Sequence, residues 1–131
     1  MASSNKSMQK FIIYGRLPGL NEYTSSNRSN PYAGANMKKK AERTVIKALS
    51  DSGITPAVTP VLISYNWYEK DNKRDADNVS FAQKFIQDAL VEEGILPDDS
   101  RKYVVGSNHR VYTDKINPRI EVTIIENYSL F

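Results

Sequence analysis

The feature that most constrains the fold of this chain is a helical pattern with an acidic segment at each end. The sequence RDADN occupies residues 74–78, and Pro97-Asp98-Asp99 follows the helix. Apolar residues recur at the helical period from about Asn78 to Glu92, and Gly94 marks the end of that helix. Carboxylates repel one another, so a cluster of them in a basic protein usually holds a hard divalent cation. The pattern therefore predicts one helix that can bring two groups of carboxylates together.

Length and composition exclude several classes of protein. A chain of 131 residues fits one domain with a real hydrophobic core. With no Cys and one His, it has no disulfides or thiolate sites, and the usual zinc sites are excluded. The first residues lack the apolar stretch of a signal peptide, and no run reaches transmembrane length. We therefore expect a cytoplasmic protein with no membrane partner.

The charge is divided unevenly along the chain. The whole sequence carries a net charge of +3, with +7 on residues 1–50 and −4 on residues 51–131. A basic surface favours an anionic partner such as nucleic acid. A basic half beside an acidic, metal-holding half is typical of a nuclease.

The periodicity predicts an α+β fold. Residues 1–9 are polar and expected to be flexible, residues 17–35 are expected to form a loop, and residues 113–118 are expected to form a hairpin loop. The order β-α-β-α-β-β then gives a single two-layer domain over residues 10–131, with two helices on one face of a small mixed sheet. The predicted strands are Lys10–Arg16, Pro60–Glu69, Tyr103–Tyr112 and Arg119–Glu126, and the predicted helices are Asn36–Ser52 and Asn78–Glu92.

Spacing alone leaves two interpretations of the carboxylates. Asp75 and Asp77 can point toward one cation at a helix N-terminus, and Asp98 and Asp99 can join them if the next strand returns beside the second strand. Oxygen ligands of this kind select Mg²⁺, Mn²⁺ or Ca²⁺, but the spacing does not fit an EF-hand. Alternatively, Asp77 or Asn78 caps the helix and the Asp98–Asp99 pair belongs to a turn.

Lys84 also has two interpretations. It follows Asp77 by seven residues and lies on the same helical face as Asp88. A surface ion pair with Asp88 is the simpler explanation. In the other, the Lys84 ammonium lies near the metal site and stabilises phosphate charge.

The first predicted helix carries an excess of positive charge. Its five cations are opposed only by Glu42, so they either contact phosphates or form a solvated face. These cations are Lys38, Lys39, Lys40, Arg43 and Lys47.

Five aromatic residues either stack on unpaired bases or pack in the core: Tyr14, Tyr23, Tyr32, Tyr65 and Trp67. His109 is expected to be an ordinary sheet residue.

Taken together, these motifs resemble the RusA family of Holliday-junction resolvases, which are crossover junction endodeoxyribonucleases. The matching pieces are RDADN at 74–78, KFIQDAL at 84–90 and GILPDD at 94–99. The early LPGLNEY at 17–23 is similar to the family's Pro-x-x-Asn segment after its first strand. The resemblance covers residues 10 to 126.

The resemblance implies a small homodimeric endonuclease of bacteria and their prophages, active in DNA recombination and repair. Such an enzyme uses Mg²⁺, with Mn²⁺ as a substitute, and cuts four-way DNA junctions by paired symmetric nicks. Asp75, Asp77 and Asp99 correspond to its metal-binding carboxylates and Lys84 to its catalytic lysine, although Lys84 comes three residues later than in the family pattern. The expected DNA-binding residues are Asn21, Arg28, Lys38, Lys39, Lys40, Arg43, Lys47, Lys73 and Arg74.

The sequence also leaves open the contact surface of the expected homodimer and two alternative functions. Contact between the two copies of a homodimer is expected at Tyr65, Trp67 or the last residues, 128–131. A non-catalytic nucleic-acid-binding protein is the alternative function, with acidic residues that only cap helices. A metal-dependent hydrolase of a small phosphorylated substrate is a third.

Overall fold

The computed structural model describes residues 8–128, which form one four-stranded sheet and four helices. Residues 1–7 of the predicted flexible N-terminus and residues 129–131 lie outside the described part. The strands are β1 (Met8–Tyr14), β2 (Val61–Glu69), β3 (Val104–Thr113) and β4 (Arg119–Ile125). The helices are α1 (Leu20–Ser29), α2 (Ala33–Ser52), α3 (Ala76–Ser80) and α4 (Gln83–Glu92).

The strand order in the sheet is β1-β4-β2-β3. β4 pairs antiparallel with both β1 and β2, and β3 pairs parallel with β2. The predicted hairpin between β3 and β4 is therefore wrong, because β2 lies between them. The connection passes the end of β2 instead, where the Asp114 N–H donates to the Glu69 carbonyl at 2.7 Å. Local sequence could not reveal this, since both arrangements use the same strands and the same turn residues.

The core lies between the sheet and the helices. Alternate residues of β2 point inward and are almost fully buried, including Ile63, Tyr65 and Trp67. Each large apolar side chain buried in this way contributes about 1.5–3 kcal/mol to folding. The opposite face of β2 is only half-buried, so one side of the sheet carries the helices. The predicted two-layer α+β fold with a mixed sheet is confirmed.

The predicted loop over residues 17–35 is wrong, because it contains α1 and the start of α2. No residue of α1 is buried, so this helix lacks the apolar stripe that reveals most helices in a sequence. It begins where the Glu22 carboxylate accepts the Gly19 N–H at 3.1 Å. Tyr23 holds it to the core by packing on Phe81 and Phe85, with ring centroids 5.5 and 5.7 Å away.

The predicted helix from Asn78 to Glu92 is divided into α3 and α4. The hydrogen bonds tighten to the i→i+3 type at the division: the Ala82 N–H donates to the Val79 carbonyl, and the Lys84 N–H donates to the Phe81 carbonyl. Residues 8–128 thus contain four helices, whereas the sequence predicts two. No helix in the described part is long and apolar enough to cross a membrane.

Candidate active site

The acidic segment begins just beyond the end of β2 and leads into α3. Asp75 occupies the position before the first helical residue, but its side chain makes no capping hydrogen bond. Asp77 lies in the first turn. Both are exposed, and within residues 8–128 neither carboxylate takes part in a hydrogen bond or ion pair. Side-chain capping therefore does not account for them, and both are free to bind a ligand.

Asn78 does not cap the helix either. Its Oδ1 accepts the backbone N–H of Asn21 at 3.0 Å, which ties the acidic segment to α1. Gly19 lies close against Asn78: a Cβ added at position 19 would be only 2.5 Å from Asn78 Oδ1. The segment is thus packed against the start of α1.

The second acidic pair lies on the turn between α4 and β3. The Asp98 Oδ1 accepts the Asp99 N–H at 2.8 Å, so Asp98 is a turn residue. The Asp99 side chain is exposed and has no hydrogen bond or ion pair in the described part of the chain. The pair lines an open groove with three other carboxylates and Lys38; the carboxylates belong to Glu42, Asp88 and Glu92.

One chain does not bring the two acidic groups together. Among residues 8–128 no group of three or more His, Cys, Asp or Glu side chains is arranged to hold a metal ion. β3 does return beside β2, but it runs parallel to it, so the connection must cross from one end of the pair to the other. The ten-residue α4 lies in that crossover and is about 15 Å long. Asp75 and Asp77 precede it, and Asp99 follows it.

Lys84 is exposed near the start of α4. The surface pair with Asp88 is absent, because Asp88 pairs with Lys38 of α2 at 3.4 Å. Lys84 has no ion pair within the described residues, so its ammonium is free. The break between α3 and α4 lies between Asp77 and Lys84, in the stretch that is three residues longer here than in the family pattern.

The expected DNA-binding residues differ in how freely they can reach a phosphate. Lys47 pairs with Asp51 at 2.8 Å, and Lys38 pairs with Asp88, whose charge is the main cause that raises the pKa of Lys38. The Arg74 side chain is largely buried and forms ion pairs with Glu22 and Glu69. The remaining residues are exposed and form no ion pair within residues 8–128: Asn21, Arg28, Lys39, Lys40, Arg43 and Lys73.

The aromatic residues also fall into two groups. Tyr65 and Trp67 are 0% and 1% exposed, so they are core residues and cannot stack on bases or form a dimer contact. Tyr14 and Tyr32 are 68% and 73% exposed. His109 is a sheet residue, as predicted.

Two residues of the site were missed in the sequence. Glu69 is 5% exposed, and its carboxylate binds Arg74 in a bidentate ion pair. It continues the inward-facing alternation of β2 after Tyr65 and Trp67, and a carboxylate at such a position is a signal of a buried partner. Glu22, which contacts both Arg16 and Arg74, gave no comparable signal because it lies in the segment that was predicted to be a loop.

Comparison with known proteins identifies the family. Residues 31–125 match the family model described as endodeoxyribonuclease RusA. The match includes both acidic segments, Lys84, and the sheet from β2 to β4. A search of curated proteins found no match. Because the family model covers most of the sequence, the chain belongs to the RusA family of endodeoxyribonucleases.

Proposed function

We propose that this protein is a Mg²⁺-dependent, structure-specific endonuclease that resolves Holliday junctions by paired symmetric nicks in DNA recombination and repair. The observation that carries the proposal is the family match, which includes three carboxylates that the fold leaves free. These are Asp75, Asp77 and Asp99, and Asp98 supports the turn. A cytoplasmic location fits this activity.

The donor chemistry fits Mg²⁺, with Mn²⁺ as a substitute, because every candidate ligand is a carboxylate oxygen. Mg²⁺ is often held by one or two carboxylates together with water and substrate phosphates, so Asp75 and Asp77 suffice as the contribution of one chain. Held by Asp75 and Asp77, Mg²⁺ would supply Lewis-acid stabilisation of charge on the phosphate and would lower the pKa of a bound water. The expected products carry 5′-phosphate and 3′-hydroxyl ends.

The separation of the carboxylates supports the proposed homodimer. Asp99 lies beyond the far end of α4 from Asp75 and Asp77, so it cannot complete their site within the same chain. We therefore assign to Asp99 a role at the site of a second copy. A symmetric dimer would hold two such sites, as two coordinated cuts require.

Positive side chains complete the proposed site. Lys84 is free near the start of α4 and would stabilise charge on the phosphate during cleavage. The exposed cations of α1 and α2, among them Arg28, Lys39, Lys40 and Arg43, would bind the DNA backbone.

A cleavage assay on a labelled four-way junction tests this function. The protein is incubated with the junction in Mg²⁺ and, in a parallel reaction, in EDTA. We expect symmetric nicks that a ligase can seal, in Mg²⁺ only. A protein that binds the junction equally in both reactions and never nicks it would be the non-catalytic binding module instead. Absence of salt-dependent DNA binding would point to a hydrolase of small phosphorylated substrates.

A further inference from the structure

We propose that Arg74 is a positioning residue that fixes the acidic segment through a buried ion pair with Glu69 and a second link to Glu22, and that it does not contact DNA. This inference rests on the proposed function. It replaces the sequence-based expectation that Arg74 binds the DNA backbone.

Each nitrogen of the Arg74 guanidinium donates a hydrogen bond within the protein. Its Nε and Nη2 donate to the two carboxylate oxygens of Glu69, each at 2.8 Å. Its Nη1 donates to the Leu17 carbonyl at 3.2 Å and to Glu22 Oε1 at 3.0 Å. The Arg74 and Glu69 side chains are only 10% and 6% exposed. Nε and Nη2 already bind the Glu69 carboxylate, and Nη1 donates to two other acceptors. The guanidinium therefore lacks the pair of free N–H groups that bidentate binding of a phosphate requires.

The charges around Arg74 form a chain that runs from β2 to α1. Glu22 Oε1 accepts from Arg74, from Arg16 at 2.8 Å and from the Gly19 N–H at 3.1 Å. Burial alone would raise the pKa of Glu22, but these donors outweigh it and lower the pKa. Burial alone would likewise lower the pKa of Arg74, and Glu69 together with Glu22 raises it. Both groups therefore remain charged at neutral pH.

This chain of ion pairs determines where the acidic segment lies. Arg74 immediately precedes Asp75, so its attachment to Glu69 fixes the segment at the point where β2 ends. Glu22 and the contact between Gly19 and Asn78 fix it from the side of α1. Two elements thus hold the backbone that presents Asp75 and Asp77, whose carboxylates remain free.

The experiment compares changes that separate positioning from DNA contact. Arg74→Lys keeps the charge but not the bidentate fork, Arg74→Gln removes both, and Glu22→Gln removes a negative charge from a partly exposed site. Lys73→Gln changes the exposed neighbouring cation, and Lys10→Gln is a surface control on β1, at the opposite edge of the sheet from β3. Junction affinity is measured against salt concentration in EDTA, and the single-turnover cleavage rate is measured in Mg²⁺ with the junction saturated. Hydrogen exchange of the α3 amides reports the order of the segment without relying on activity.

A positioning role predicts a specific combination of results. Arg74→Lys and Glu22→Gln should lower the cleavage rate at least about tenfold and speed the exchange of the α3 amides, with junction affinity equal to or tighter than that of the wild type. Arg74→Gln should leave the slope of log affinity against log salt unchanged, whereas loss of a duplex phosphate contact lowers it by about 0.9. Lys73→Gln should show that lower slope, and Lys10→Gln should match the wild type in every measurement.

Other results would overturn the inference. A lower salt slope in Arg74→Gln would make Arg74 a DNA contact. Wild-type cleavage and α3 exchange in both Arg74→Lys and Glu22→Gln would show that the ion pairs do not position the segment. If the wild type binds the junction but never nicks it, the proposed function fails, while the salt slope and the hydrogen exchange still decide the role of Arg74.

Discussion

The indole Nε1 of Trp67 donates a hydrogen bond to Nδ1 of His109 across 3.0 Å. An indole nitrogen can only donate, so Nδ1 of His109 must carry no proton. The proton of the neutral ring is therefore on Nε2, which lies 3.3 Å from Ser107 Oγ. Burial also lowers the pKa of His109. The fold thus selects the neutral form of the only histidine in the chain.

This contact predicts a pH dependence of stability. Because the pKa of His109 is lower in the folded chain than its ordinary 6.5, the unfolded chain binds a proton more readily. The contribution to stability is complete above about pH 6.5 and is lost as pH falls through the folded-state pKa. The free energy of unfolding, measured by urea titration, should therefore fall between pH 7 and pH 5.

His109→Gln provides the control for this prediction, because its amide can accept a hydrogen bond and does not titrate. The difference in unfolding free energy between wild type and variant should shrink as the pH is lowered. A difference that is constant over this range would show that His109 is not held neutral by the fold.

The three free carboxylates predict a graded set of cleavage defects. Asp77→Asn should abolish cleavage of a four-way junction while binding is retained or tightened, because a proposed metal ligand and a negative charge are removed together. Asp75→Asn and Asp99→Asn should behave similarly. Asp98→Asn is the matched control beside Asp99; its side chain forms the turn, so its defect should be milder. Near-native cleavage by Asp77→Asn would contradict the metal site.

The sequence revealed the elements that carry strong local patterns. The alternation in β2 correctly placed Tyr65 and Trp67 on one face, and that face is the core. The helical period found α2, although the helix begins at Ala33, three residues before the predicted Asn36. The candidate ligands Asp75, Asp77 and Asp99 were found from their motif and remain proposals, but within residues 8–128 their carboxylates have no hydrogen bond or ion pair.

What the sequence could not reveal depends on contacts distant along the chain. α1 exists because Tyr23 packs on Phe81 and Phe85, and that contact leaves no periodic pattern. The position of β4 between β1 and β2 is a choice among strand pairings that the turn residues do not determine. The engagement of Arg74 by Glu69 and Glu22 required the arrangement of β2 and α1 to be known.

The exposed cations of α2 predict which changes alter the salt dependence of DNA binding. Lys39, Lys40 and Arg43 have no ion pair in the described part of the structure, whereas Lys47 is paired with Asp51. Replacing Lys39, Lys40 and Arg43 with Gln should weaken binding to all DNA. Each lost duplex contact should lower the slope of log affinity against log salt by about 0.9. Lys47→Gln should have a smaller effect, and an unchanged slope in the triple variant would place the DNA surface elsewhere.

The separation of Asp99 from Asp75 and Asp77 predicts how mixed dimers behave. If each site is served by two copies, a dimer of one wild-type chain and one Asp77→Asn chain has one complete site. It should nick one strand of a junction and rarely release linear duplexes. Mixing Asp77→Asn with Asp99→Asn is a sharper test, because one of the two sites then receives an intact Asp77 from one chain and an intact Asp99 from the other. That mixture should regain nicking of single strands, although each variant alone is inactive. A protein that sediments as a monomer at assay concentration and still makes paired nicks would refute the dimer.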